Sequence, residues 1–274
     1  MKLTPVALLI ALAPVTRCDV WSDRVVVASK NFTEQTILAE LVAQQIERRT
    51  DIAVDRRFFL GGTFVCHRAI VSGEVDIYVE YTGTALAAIL ERAPVHNADS
   101  VYTTVRTEYE QRFALIWGEP LGFNNTFAIL VRGDDARRLG LQTISQAAPH
   151  TPGWRAGFGY EFMEREDGFS GLAESYGLRF ADTPRTMDLG LTYRALADGQ
   201  VDLIAGNSTD GLIEALDLVQ LRDDRSYFPP YHAAPIVRAD VLERHPEIGT
   251  ALDELSGLMS DDQMRRLNYL VDVE

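Results

Sequence analysis

Side chains able to do chemistry gather where strands hand over to helices. Lys30 follows the apolar run Arg24–Ser29 and precedes a helical pattern. Its ammonium can therefore reach an anion near a helix N-terminus, where negative charge is favoured. Only two of the 26 basic residues are lysines, Lys2 and Lys30, so the lysine of the chain's body lies in this junction. Tyr78, Tyr81 and Thr84 fall in the run Val75–Thr84, with Tyr81 at a strand's end, Thr82 placed to cap the next helix and Thr84 free to offer a hydroxyl. Tyr231 follows Pro229-Pro230, a stiff segment that holds its ring in place. Rings grouped this way can hold a cation that has no N–H to donate, each face contributing roughly 0.5–2 kcal/mol. One ring alone is as readily explained by core packing; several beside a lysine are not.

Catalytic and metal chemistry find no comparable carrier. The five histidines (His67, His96, His150, His232, His245) form no HExxH or paired metal spacing. Gly206-Asn207-Ser208-Thr209-Asp210 lacks the glycine that a nucleophile elbow needs two residues after serine. Phosphate-binding glycine patterns are absent. Cys66 and His67 are sequence neighbours on a helical pattern, which points their side chains apart, and Cys66 reads as a buried small hydrophobe. No enzyme activity, cofactor or metal is expected.

The net charge of −14 argues against sequence-independent binding to nucleic acid or anionic lipid. Acidity suits solubility and the capture of a cationic solute. At the start, Lys2, the apolar stretch Val6–Val15 and the polar Thr16-Arg17 resemble an export signal, assigned to residues 1–18. Val15-Thr16-Arg17-Cys18 has the shape of a lipoprotein box, with Arg17 where a small residue is usual, so Cys18 is a candidate lipid anchor. Either way Cys66 has no intramolecular disulfide partner in the exported chain. No stretch is long and apolar enough to embed the body in a membrane.

Strands and helices alternate throughout. Asn31 and Glu34 form an Asn-x-x-Glu variant of a capping box, and Ile37, Leu38, Leu41, Val42 and Ile46 share one helical face. Strands are expected at Arg24–Ser29, Ile52–Phe58 and Val75–Val79, with helices opening at Thr63 and Thr82. A second set follows, with strands at Thr126–Val131, Leu178–Phe180, Val201–Ile204 and Ala234–Val237 and a helix at Met187–Ala197. Two amphipathic helices, around Ile248–Leu258 and Asp261–Val271, close the chain. The pattern predicts an α/β protein whose ligand would sit at the carboxyl ends of strands or between lobes.

Several strings together are specific. Ser29-Lys30-Asn31-Phe32-Thr33-Glu34-Gln35, Leu60-Gly61-Gly62-Thr63, Glu80-Tyr81-Thr82-Gly83-Thr84 and Pro120–Thr126 resemble the glycine betaine/choline/proline-type substrate-binding proteins of ABC importers. So do Met187–Tyr193, Ser208-Thr209-Asp210-Gly211 and Phe228-Pro229-Pro230-Tyr231. The resemblance runs from about Arg24 to the C-terminus.

It implies a two-lobed type II periplasmic-binding-protein fold, each lobe a mostly parallel sheet flanked by helices. Lobe 1 would be discontinuous, residues 24–124 and 230–274, with lobe 2 at 125–229. It further implies an aromatic box of Tyr81, Tyr231 and Phe127, and a carboxylate seat formed by Lys30, Thr84 and Arg165, whose guanidinium could grip a carboxylate with two prongs. Asn207 stands where the family usually has another tyrosine. The expected partners are a quaternary-ammonium ligand and a membrane permease, with no nucleic acid, for a monomeric periplasmic or extracytoplasmic protein. A ligand sensor of the same fold, without a transport role, is the alternative.

Overall fold

A computed structural model describes residues 24–274; the export signal assigned to 1–18, with Cys18, lies outside the described residues. The chain begins with β1 (Arg24–Lys30), α1 (Thr33–Arg49), β2 (Ala53–Gly61), α2 (Thr63–Ser72) and β3 (Ile77–Tyr81). The one-turn α3 (Thr82–Thr84) continues as a π-helical turn, Ala85–Ile89, before α4 (Ala98–Phe113) and β4 (Leu115–Trp117). A second run comprises β5 (Phe127–Arg132), α5 (Gly133–Leu139), α6 (Ile144–Ala147), β6 (Ala156–Phe158), α7 (Tyr160–Glu164), α8 (Phe169–Tyr176) and β7 (Arg185–Thr186). It continues with α9 (Leu189–Ala197), β8 (Leu203–Asn207), α10 (Leu212–Ala215) and β9 (Leu218–Leu221). β10 (Ala233–Arg238), α11 (Ala239–Arg244), α12 (Pro246–Asp253) and α13 (Asp261–Asp272) complete the chain.

Two five-stranded sheets result, in the orders β2-β1-β3-β10-β4 and β7-β6-β8-β5-β9. Both are mixed. β1 pairs in parallel with β2 and β3, as β6 does with β7 and β8. β10 runs antiparallel to β3 and β4, and β5 antiparallel to β8 and β9. Four strands of each sheet thus run one way, as expected, but half of the neighbouring pairs are antiparallel. The reversed strand in each sheet is the one the chain enters from the other sheet. Such a strand starts beside the carboxyl ends of its neighbours: Ala233 pairs with Tyr81, and Phe127 with Asn207. This register brings distant junctions side by side.

Two local expectations fail for identifiable reasons. Leu178–Phe180 is not a strand. The nearby backbone N–H groups of Arg179 and Ala181 donate instead to the Thr151 hydroxyl and the Trp154 carbonyl, and the edge strand is Arg185–Thr186. The capping box at Asn31 and Glu34 does not form: Phe32 is the N-cap, without a side-chain cap, and Glu34 turns inward. A capping box does form at the last helix, where Ser260 and Gln263 exchange hydrogen bonds.

Glu34 instead gathers four donors. Its Oε1 accepts from the Tyr81 hydroxyl at 2.6 Å and the Asn125 amide at 2.8 Å. Its Oε2 accepts from the Thr209 hydroxyl and, at 3.0 Å, from the Asn268 amide. Those partners come from the end of β3, the crossover into β5, the loop after β8, and α13. Burial raises the Glu34 pKa, and the four donors act in the opposite direction by favouring the carboxylate.

Replacing Glu34 by glutamine would set an NH2 group against an asparagine NH2, and turning either asparagine amide over would forfeit its other contact, Asn268 Nδ2 to the Thr209 carbonyl or Ser208 Oγ to Asn125 Oδ1. Glu34→Gln is expected to lower the unfolding free energy by about 2 kcal/mol. Urea denaturation of the two proteins measures this, and an unchanged midpoint would contradict it.

Candidate functional site

A cavity of about 740 Å³ lies where the two sheets face each other. Lys30, Tyr81, Thr84, Phe127, Arg165, Asn207 and Tyr231 all line it. Lys30 and Tyr81 end β1 and β3, Asn207 ends β8, and Phe127 begins β5. Arg165 directly follows α7, and Tyr231 precedes β10. The glycine of the Thr82-Gly83-Thr84 turn is sterically required. A Cβ on Gly83 would lie 2.6 Å from the Tyr231 ring, so only glycine lets that ring close over α3.

The two buried cations are already paired. Lys30 Nζ donates to Glu80 Oε1 at 2.5 Å and to Thr63 Oγ1 at 3.0 Å, leaving one ammonium hydrogen. Arg165 makes a two-pronged pair with Asp167, Nε to Oδ1 at 2.8 Å and Nη2 to Oδ2 at 2.5 Å. Its Nη1 donates to Thr84 Oγ1 at 3.1 Å, and the Tyr231 hydroxyl donates to Asp167 Oδ2 at 2.6 Å. Burial works against the Arg165 charge, but Asp167 outweighs it and raises the pKa. Each cation thus keeps only its leftover donors for a ligand.

The aromatic rings do converge. Phe127 packs at 4.8, 5.7 and 5.8 Å from the ring centres of Phe162, Phe228 and Tyr231. Phe32 stacks on Tyr81 at 6.4 Å. The Arg165 guanidinium lies 4.9 Å from the centre of Phe127 and 5.9 Å from that of Tyr231, and Lys30 Nζ lies 5.1 Å from that of Tyr81. All three ring faces are thus within cation–π range of a positive charge.

Asn207 faces the same cavity from β8. Its backbone N–H donates to the Tyr193 hydroxyl at 2.9 Å, while its side-chain amide has no partner among the described residues. Three residues on, burial pushes the Asp210 carboxyl up to about 6, with the Asp272 and Glu34 charges adding to the rise. Glu34, Glu80, Asn125, Glu161, Asp167, Thr209 and Asn268 complete the site or its immediate support, and the sequence singled out none of them as site residues. Asp167, two positions after Arg165, could have been suspected as its partner; nothing local points to Asn268, which is 234 residues from Glu34.

Cys66 and His67 stand apart from this chemistry. Burial pushes the Cys66 thiol up to about 12, so it stays protonated at neutral pH. His67 packs edge-on against Tyr109 and Phe113, and burial pushes it down to about 4. Among the described residues no group of three or more His, Cys, Asp or Glu is placed to hold a metal, and no helix is long and apolar enough to cross a membrane.

Residues 23–274 match the family described as the substrate-binding domain of the ABC-type glycine betaine transport system. The chain is 34% identical, over 96% of its length, to the ergothioneine transport permease/ergothioneine binding protein EgtU of Helicobacter pylori, and spans 47% of that protein, about half. It is 36% identical to the glycine-betaine-binding protein of Pseudomonas aeruginosa, over 90% of this chain and 82% of that one. A crystal structure described as a glycine betaine/carnitine/choline ABC transporter has a TM-score of 0.73 and 32% identity, covering 90% of this chain and 92% of the other. The fold is that of the type II periplasmic binding proteins.

Asp210 gives the site a pH signature. Its folded pKa, about 6, lies above the usual 3.8, so folding favours the protonated form. Its contribution to stability is complete at pH values below the unfolded pKa and is lost as pH rises through about 6. Asp210→Asn, which stays neutral, should therefore gain melting temperature relative to the parent protein between pH 4 and pH 8, roughly 2–4 °C per kcal/mol lost by the parent. Parallel melting curves across that range would contradict the assignment.

Proposed function

Since the chain belongs to the family of substrate-binding domains of ABC-type glycine betaine transport systems, we propose that it captures a quaternary-ammonium compound for an ABC importer. The observation that carries this reading is the convergence of Tyr81, Phe127 and Tyr231 on one cavity, with their faces already used for cations. A quaternary ammonium has no N–H, so ring faces are the groups that can recognise it. Relatives named for ergothioneine and glycine betaine, and a structure named for glycine betaine, carnitine and choline, all concern ligands of this chemical kind.

The two lobes are residues 24–124 with 230–274, and residues 125–229. They turn about the crossovers, and the ligand draws them together through contacts from both sides, giving the permease a closed form to recognise. Direct ties between the lobes, Arg165 to Thr84 and Tyr231 to Asp167, support such closure. The protein works outside the cytoplasm as a monomer, in the periplasm or held to the membrane through Cys18.

Asn207 points to a ligand with more than a plain betaine's groups. A side-chain amide offers donors and an acceptor where a ring would offer a face, and the glycine betaine molecule fills only a fraction of a cavity of about 740 Å³.

Two substitutions test the reading by calorimetry. Phe127→Leu keeps bulk but removes a ring face, and should weaken the best-bound quaternary-ammonium ligand by roughly fivefold, about 1 kcal/mol. Unchanged affinity would remove the aromatic cage. Asn207→Tyr should tighten glycine betaine by up to about tenfold and weaken ergothioneine, whose ring needs the space and the amide. If neither ligand responds, Asn207 does not line the ligand's position.

A further inference from the structure

One half-buried contact in the cavity has no role in the reading above. Helix α2 opens with Gly62 as N-cap, without a side-chain cap and without an acidic residue in its first turn. A carboxylate nevertheless sits there, supplied by Glu161 of α7 from the other side of the cavity. The Thr63 backbone N–H donates to Glu161 Oε1, and the Thr63 hydroxyl donates to Glu161 Oε2 at 3.0 Å. That same hydroxyl accepts from Lys30 Nζ at 3.0 Å, so the ammonium stands directly behind the carboxylate. A Cβ on Gly62 would collide with Glu161 Oε1; glycine leaves room for the intruding group.

We infer that the start of α2 is a carboxylate seat and that Glu161 is its built-in occupant, which a ligand's own carboxylate must displace. This rests on the proposal that the cavity binds quaternary-ammonium compounds. The chemistry of the seat is complete: a helix N-terminus, a backbone N–H, a hydroxyl and a lysine, all suited to an anion. Glu161 and Thr63 both line the ligand cavity, so the seat opens onto the space a ligand would use. Charge counting makes displacement necessary. Lys30 already faces Glu80 at 2.5 Å as well as the Glu161 carboxylate behind Thr63, and a third carboxylate beside them would be repelled.

Glu161 therefore sets specificity among otherwise similar ligands. A carboxylated compound such as glycine betaine has to break the Glu161–Thr63 contact to use the seat. Choline, with a hydroxyl in place of the carboxylate, leaves that contact intact. Glu161 also joins α7 to α2 across the cavity.

The experiment compares the parent protein with Glu161→Ala, measuring the dissociation constants of glycine betaine and choline by calorimetry. The ratio of the two cancels any shared effect on closure. It should shift toward glycine betaine on the order of fivefold in the variant, with Glu161→Gln shifting it part of the way. A ratio unchanged within about twofold overturns the inference. If the parent binds neither compound, the proposed function falls; if it binds both and the ratio does not move, the seat alone falls.

Discussion

A carboxylate removed from water must have its lone pairs met by donors, because leaving one unmet costs more than the hydrogen bond itself returns. At Glu34 that requirement is satisfied by Tyr81, Asn125, Thr209 and Asn268 together, and by no single segment. The end of β3, the crossover into β5, the loop leaving β8 and the last helix all meet α1 at this one carboxylate. Tyr81 is placed by this constraint as much as by its own strand. The ring expected to meet a ligand and the carboxylate that orders the crossover share one hydrogen bond.

The second organising constraint is the direction of two strands. A chain that leaves one sheet and returns to the other must re-enter from the side the sheets share, and so runs against its neighbours there. β5 and β10 both do so, which places Phe127 opposite Asn207 and Ala233 opposite Tyr81. The lining of the cavity is thereby drawn from segments far apart in sequence without any loop having to reach into it. The loops that lead in need only set their final residue, as Pro229-Pro230 does for Tyr231 and Gly83 permits.

The seven residues picked out from the sequence all line the cavity, on two kinds of signal. Lys30, Tyr81, Thr84 and Tyr231 stand at junctions that an α/β fold turns toward its ligand, while Phe127, Arg165 and Asn207 came from the resemblance to the family. What could not be read was the pairing of charges. Glu80 is next to Tyr81 and Asp167 next but one to Arg165, yet either could as well have pointed to solvent; only packing decides that they neutralise Lys30 and Arg165. Glu34 was misread for a related reason. A glutamate three residues after a cap usually serves it, but here the helix begins two residues after Asn31 and tertiary donors claim the carboxylate. The strand expected at Leu178–Phe180 failed in the same way, its surroundings supplying partners outside any sheet.

With its two buried cations internally matched, the cavity is left with an excess of negative groups. Glu34, Glu161, Asp188, Asp210 and Asp272 line it against Lys30, Arg165 and Arg194. A recess of that sign, in a chain of net charge −14, projects a field that draws small cations inward before any contact is made. For a solute of net positive charge, such as choline, that pull depends on ionic strength, since the screening length shrinks to about 8 Å at physiological salt; a zwitterion such as glycine betaine, of no net charge, escapes it. The matching of charge that occupies Lys30 and Arg165 thus leaves the encounter rate of a cationic solute dependent on the surrounding salt.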